Sequence, residues 1–165
     1  MNEKSFIKTP MEKRPLRVFL DSNVILSGLL SDKGAPRIIL DLLSLKLPFF
    51  VGRTGRYNLI EIERNVQKKM PGILSVYKAY FPKLNLKIIP LPRKENLKEY
   101  FGKIADKDIP VLTSAIRGKA DFLVTGDKQH FEKLKKGGEH PLRIVTPSEF
   151  IDSILPEILG QLQEK

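Results

Sequence analysis

Short, mostly apolar runs alternate along the chain with segments of helical periodicity, and this alternation limits the fold more than any other feature. Arg17–Leu20, Phe49–Val51, Leu86–Ile89, Phe122–Val124 and Leu142–Val145 suit strands buried on both faces of a parallel sheet. Between them, apolar positions recur with the 3.6-residue period, as in Ile38, Ile39, Leu42, Leu43 and Leu45 after Pro36. Helices are expected over Val24–Leu30, Pro36–Leu45, Arg56–Met70, Ile73–Phe81, Asp106–Arg117, Gln129–Lys135 and Pro147–Leu159, and a weaker one over Glu95–Ile104. The order predicts a single α/β domain: a central, mostly parallel twisted sheet of about five strands with helices on both faces. A length of 165 residues suits one such domain. A basic N-terminal arm is expected over residues 1–15, broken by Pro10 and Pro15, then the domain over 16–155 and a tail over 156–165.

Composition narrows the chemistry. There is no Cys, which removes disulfides, thiolate nucleophiles and Cys-ligated zinc or iron–sulfur centres. Only His130 and His140 are present, too few for a multi-histidine metal site. No segment approaches the ~18 apolar residues of a membrane span, and the first residues lack the apolar core of a secretory signal. A cytoplasmic protein acting through carboxylates, hydroxyls or amines is expected. Lys and Arg number 29 against 19 acidic residues, a net charge of +10 that points to a polyanionic partner.

Against this basic background, a few acids fall where an open α/β sheet binds its ligands, beyond the carboxyl ends of the strands. Asp21 directly follows Val18-Phe19-Leu20, and Asp127 follows Phe122-Leu123-Val124-Thr125-Gly126. Helices can bring Glu61 (or Glu63) and Asp108 to the same edge. Converging carboxylates repel unless protonated or neutralised by cations, and an all-oxygen set selects hard ions such as Mg2+ or Mn2+. Metal-assisted attack of water on a phosphodiester fits that chemistry. Each acid also has a plainer reading: Asp108 as a helix N-cap, Asp127 as a turn or cap residue, Glu61 and Glu63 as solvated helix positions. Asp21 resists the plain reading, because it ends a buried strand and is followed by Ser22 and Asn23, which can orient a carboxylate or a water.

The sequence from about Arg17 to Phe150 resembles PIN-domain ribonucleases, in the toxin-like (VapC-type) branch of toxin–antitoxin systems. Four segments carry the resemblance: Val18-Phe19-Leu20-Asp21-Ser22-Asn23-Val24, the helix Asn58–Val66, Asp106-Lys107-Asp108-Ile109-Pro110, and Ala120–Asp127. It implies an α/β/α sandwich in which Asp21, Glu61, Asp108 and Asp127 hold Mg2+ or Mn2+ for RNA hydrolysis. Thr125 and Asn23 would support them, with Ser22 standing where Thr is commoner and Asp106 as a further supporting acid. Glu63 is about 200° around the helix from Glu61, so only one can face the site; Glu61 fits the family register better, and Asp108 fits better than Asp106. A homodimer and a small inhibitory antitoxin are also implied.

Basic residues would then hold the substrate. Arg53, Arg56, Arg64, Lys68 and Lys128 are the RNA-binding candidates, within clusters suited to a phosphate backbone but also to solvated helix faces. Tyr57, Tyr77, Tyr80 and Phe81 lie among them and could stack bases, or serve a core or interface. Two other readings stand beside the ribonuclease: a catalytically silent PIN-like module binding RNA or protein, and a structure-specific DNA nuclease. A phosphoaspartyl enzyme is disfavoured, since no Asp-x-Asp follows the first strand.

Overall fold

In a computed structural model describing residues 14–135 and 142–163, the strands are β1 (Leu16–Leu20), β2 (Phe50–Gly55), β3 (Lys87–Ile89), β4 (Phe122–Val124) and β5 (Arg143–Val145). They form one fully parallel sheet in the order β3-β2-β1-β4-β5. The chain builds outward from β1 through β2 and β3, then restarts on the other side of β1 with β4 and β5. That reversal opens a crevice at the carboxyl ends of β1 and β4, where doubly wound sheets bind ligands.

Strand alternation divides the interior into two cores. Leu16, Val18 and Leu20 face one core, shared with helices α1 (Ser22–Leu30), α2 (Ala35–Ser44), α3 (Arg56–Lys69), α4 (Leu74–Tyr80) and the C-terminal helical segment. Phe19 faces the other, with Leu123 and Ile144 and residues of α6 (Ile109–Arg117) and α7 (Glu132–Lys135). The side chains between them point alternately to either layer, which is why the strands read as continuous apolar runs. Pro110 sits in the first turn of α6, where a missing N–H costs nothing, and Pro36 does the same in α2.

Two expectations shift. The helix expected over Glu95–Ile104 is confined to α5 (Lys94–Lys98). The chain then turns at Gly102, whose φ of +82° disfavours any residue with a Cβ, and packs Tyr100 and Ile104 into the core. The closing helix is longer than expected: α8 (Pro147–Glu149), a π-helical turn (Phe150–Ile154) and α9 (Leu155–Gln163) run on into the stretch expected as a tail. Phe150, Ile154 and Ile158 are all fully buried along it. The expected N-terminal arm lies outside the described residues save Arg14 and Pro15, as does His140. Among the described residues no helix is long and apolar enough to cross a membrane.

Candidate active site at the carboxyl edge of the sheet

Asp21 ends β1 and caps α1, and its surroundings set the character of the site. It is 7% exposed. Oδ1 accepts hydrogen bonds from Ser22 N at 2.7 Å and from Asn58 Nδ2 at 3.2 Å, while Oδ2 accepts from Thr125 Oγ1 at 2.8 Å. Burial pushes its carboxyl up to about 6, and the charges of Glu61 and Asp127 add to that against the opposing hydrogen bonds from Thr125 and Ser22. Three elements thereby meet on one carboxylate: β1, α3 through Asn58, and the end of β4 through Thr125.

The other acids are held in the same manner. Ser22 Oγ donates to Glu61 Oε1 at 2.6 Å and accepts from Asn58 Nδ2 at 2.9 Å. Asn23 Nδ2 donates to Asp127 Oδ2 at 2.8 Å, and its Oδ1 accepts from Gly126 N at 3.0 Å. Asp127 N in turn donates to Thr125 Oγ1 at 3.0 Å. Asp108 is buried at the start of α6, yet its side chain caps no backbone amide. Instead Oδ2 lies 3.3 Å from His130 Nδ1, close enough for attraction once the imidazole is protonated but without the geometry of a hydrogen bond. Asp127 likewise makes no cap bond to the turn that follows it. The plain capping readings of Asp108 and Asp127 are not what these side chains do.

A cavity of about 140 Å³ collects this set, lined by Asp21, Ser22, Asn23, Glu61, Asp108 and Asp127 together with Leu26, Asn65, Lys107 and Val111. Asp106 and Glu63 are exposed and do not line it. The donors are all oxygen, and the buried Asp108 Oδ2 has no hydrogen-bond partner among the described residues. In chemistry the four carboxylates suit a hard divalent cation. Among the described residues no three such groups are already gathered as a metal cluster, because Asp21, Glu61 and Asp127 are each turned onto hydroxyl or amide donors of their own.

The basic candidates separate. Arg64 and Lys68 are exposed on α3 and follow Glu61 at i+3 and i+7, on the row that borders the cavity. Arg56 is exposed at the start of α3, off that row. Lys128 Nζ is 2.9 Å from both carboxylate oxygens of Glu149. Arg53 lies well away from the acids and bonds through Nη1 to Gly118 O. Of the aromatic residues, Tyr77 is 3% exposed and packs against Phe81 in the core, so it offers no face to a base.

Two contributors were not legible as site residues in the sequence. Asn58, fully buried, bridges Asp21 and Ser22; its one signal is a position one helical turn before Glu61. His130, set in a short 3-10 turn (Lys128–Phe131), reaches Asp108 across the fold and has no periodic signal at all.

A parallel sheet of this order, with acids closing the carboxyl ends of β1 and β4, is the frame of a known nuclease family. Residues 17–129 match the PIN domain, and the chain belongs to that family. Among solved structures, the fold is similar to a chain in the crystal structure of VapBC2 from Rickettsia felis bound to a DNA fragment from their promoter. The TM-score is 0.56 at 20% identity, covering 79% of this chain and 98% of that one. No curated protein matches this sequence.

Proposed function

We propose that this PIN domain is an endoribonuclease that hydrolyses RNA phosphodiesters at the Asp21–Glu61–Asp108–Asp127 cavity with the help of Mg2+ or Mn2+. The observation that carries the reading is the convergence of these four carboxylates on one cavity in a chain of net charge +10. Their carriers are far apart in sequence: the end of β1, α3, the start of α6 and the loop after β4. Repulsion among so many acids has a functional explanation if the cavity takes up cations and a phosphate together.

Asp21 and Asp108, the two buried acids, anchor the cation, and Glu61 and Asp127 complete the set from its rim. A bound divalent ion supplies Lewis-acid stabilisation of the phosphate and of the attacking water. The chain's own residues do the positioning. Ser22 and Asn58 fix Glu61 and Asp21 relative to one another, and Asn23 and the Thr125 hydroxyl fix Asp127. Arg64 and Lys68, on the row beside Glu61, hold the flanking phosphates without reading bases. By family resemblance the protein acts as the toxin of a pair. A small antitoxin would bind it, and a homodimer is the expected assembly; co-purification with the product of a neighbouring short reading frame, and light scattering, test those two points.

The function is tested by incubating RNA and DNA of one sequence with the purified protein, with and without Mn2+. Metal-dependent cleavage of the RNA, lost in Asp21→Asn, is expected. Cleavage that survives Asp21→Asn would remove this mechanism, and cleavage of the DNA alone would favour the DNA nuclease.

A further inference from the structure

On the face of the sheet that carries α6, past the last turn of that helix, lies a second and larger cavity of about 390 Å³. Its lining includes Arg17, Arg53, Lys87, Arg117 and Lys119, with apolar surface from Ile89 and Pro90, and no carboxylate among the described residues. It is separated from the acidic cavity by the length of α6: the ten residue-to-residue steps from Asp108 to Gly118 span about 15 Å at helical rise.

Strand geometry puts these cations together. Arg53 of β2 is the register partner of Lys87 of β3, and Arg17 of β1 is the partner of Val51, two residues before Arg53. By strand alternation Arg17 falls on the same face as Phe19 and, like Arg53, on the α6 side of the sheet. Like charges on neighbouring strands disfavour the sheet, so their presence here needs a reason. The nearest acid gives only partial relief. Both oxygens of Asp121 are taken at 2.8 Å by Arg14, and Oδ2 also accepts from Arg17 N at 2.8 Å. Burial and the charges of Arg17 and Arg14 lower the pKa of Arg53 despite the pull of Asp121.

The guanidiniums are arranged as donors. Arg17 reaches Lys119 O at 3.4 Å, Arg117 reaches Leu91 O at 3.4 Å, and Arg53 bonds Gly118 O. Each guanidinium has five N–H groups, so these single anchors fix the groups and leave further donors for a ligand. Arg53 Nε is buried with no hydrogen-bond partner among the described residues. The exposed N–H groups of the planar guanidinium forks match phosphate oxygens.

We infer that this cavity is a binding site for a phosphate-bearing ligand of nucleotide size, gripped by Arg53, Arg17, Arg117, Lys87 and Lys119 against Ile89 and Pro90. Its volume is within the range of small-ligand pockets and well beyond what one phosphate needs. The ligand chemistry has two sources, a free nucleotide or one nucleotide of an RNA strand. The site does not depend on the nuclease reading, since it shares no lining residue with the acidic cavity.

The test is calorimetric titration of the full-length protein with ADP, and with adenosine as the phosphate-free control, in EDTA at low salt. ADP binds, adenosine does not, and added salt weakens the binding. Arg53→Gln, and separately the exposed pair Lys87→Gln/Arg117→Gln, each weaken ADP by about tenfold or more; the exposed pair carries the result if Arg53→Gln fails to fold. Displacement of ADP by a short single-stranded RNA assigns the site to a strand, and retention of ADP assigns it to a free nucleotide. Unchanged ADP affinity in the variants, or equal binding of adenosine, overturns the proposal. Because no cleavage is read, that failure is distinct from any failure of the nuclease assignment.

Discussion

The Thr125 hydroxyl donates to Asp21 Oδ2 at 2.8 Å and accepts from Asp127 N at 3.0 Å, so one fully buried side chain ties the two strand-end acids together. Thr125→Val keeps the shape and removes both bonds. It leaves a buried carboxylate oxygen and a backbone amide without their partners, and should cost about 1–3 kcal/mol of stability. Urea denaturation measures it; a change below a few tenths of a kcal/mol would show that the hydroxyl is dispensable.

Asp21 makes stability depend on pH in a definite direction. Its folded pKa of about 6 is above the ~3.9 of an unperturbed aspartate, so between those values the folded state binds the proton more readily than the unfolded chain. This group therefore favours folding most below about pH 4, and that advantage is lost as the pH rises through about 6, by roughly 3 kcal/mol in all. Asp21→Asn, which cannot ionise, should in EDTA be more stable than the natural protein at about pH 7.5 and lose that advantage near pH 4. Melting curves at the two pH values check this. Equal destabilisation at both would mean that the buried charge is not a source of strain.

How much of this was legible in the sequence depended on whether a residue's role is local. Asp21 was visible because it directly follows a buried apolar run, and Asp127 because it comes three residues after the end of another. β1 was visible because Val18 and Phe19 are buried on opposite faces. The second half of β2 was not, since Gly52-Arg53-Thr54-Gly55 carries no apolar pattern. Gly52 lies where a Cβ would sit 2.5 Å from Leu86 Cδ2, and Thr54 satisfies its buried hydroxyl on Leu20 O at 2.9 Å. Both reasons are contacts with other elements. The same holds for Asn58 and His130, and for Arg53, whose distance from the acids follows from strand register.

Gly55 ends β2 against Asn58. A Cβ there would lie 2.8 Å from Asn58 Oδ1 and 3.0 Å from Ser114 Oγ. Gly55→Ala should displace the Asn58 amide from Asp21 and Ser22, destabilising by about 1–3 kcal/mol and lowering activity along with stability. Unfolding curves and cleavage rates measured on one preparation test the coupling; full activity would show that Asn58 does not position the acids.

His130 faces Asp108 at 3.3 Å without lining the acidic cavity. As a positioning residue it should influence rate through Asp108, so His130→Ala is expected to lower kcat by about tenfold, in the range of supporting groups around metal ligands. Partial recovery in His130→Gln would separate positioning from a loss of folding. An unchanged kcat would remove His130 from the site.

Glu61 and Glu63 provide the most direct test of the acidic cavity, because they are chemically identical and two residues apart on one helix. Glu61 lines the cavity and is held by Ser22, whereas Glu63 is exposed. In Mn2+-dependent RNA cleavage, Glu61→Gln should lose at least about 100-fold, as when a group stabilising transition-state charge is removed, and Glu63→Gln should match the natural protein. Retained cleavage in Glu61→Gln, or loss in Glu63→Gln instead, would contradict the assignment of catalysis to this cavity.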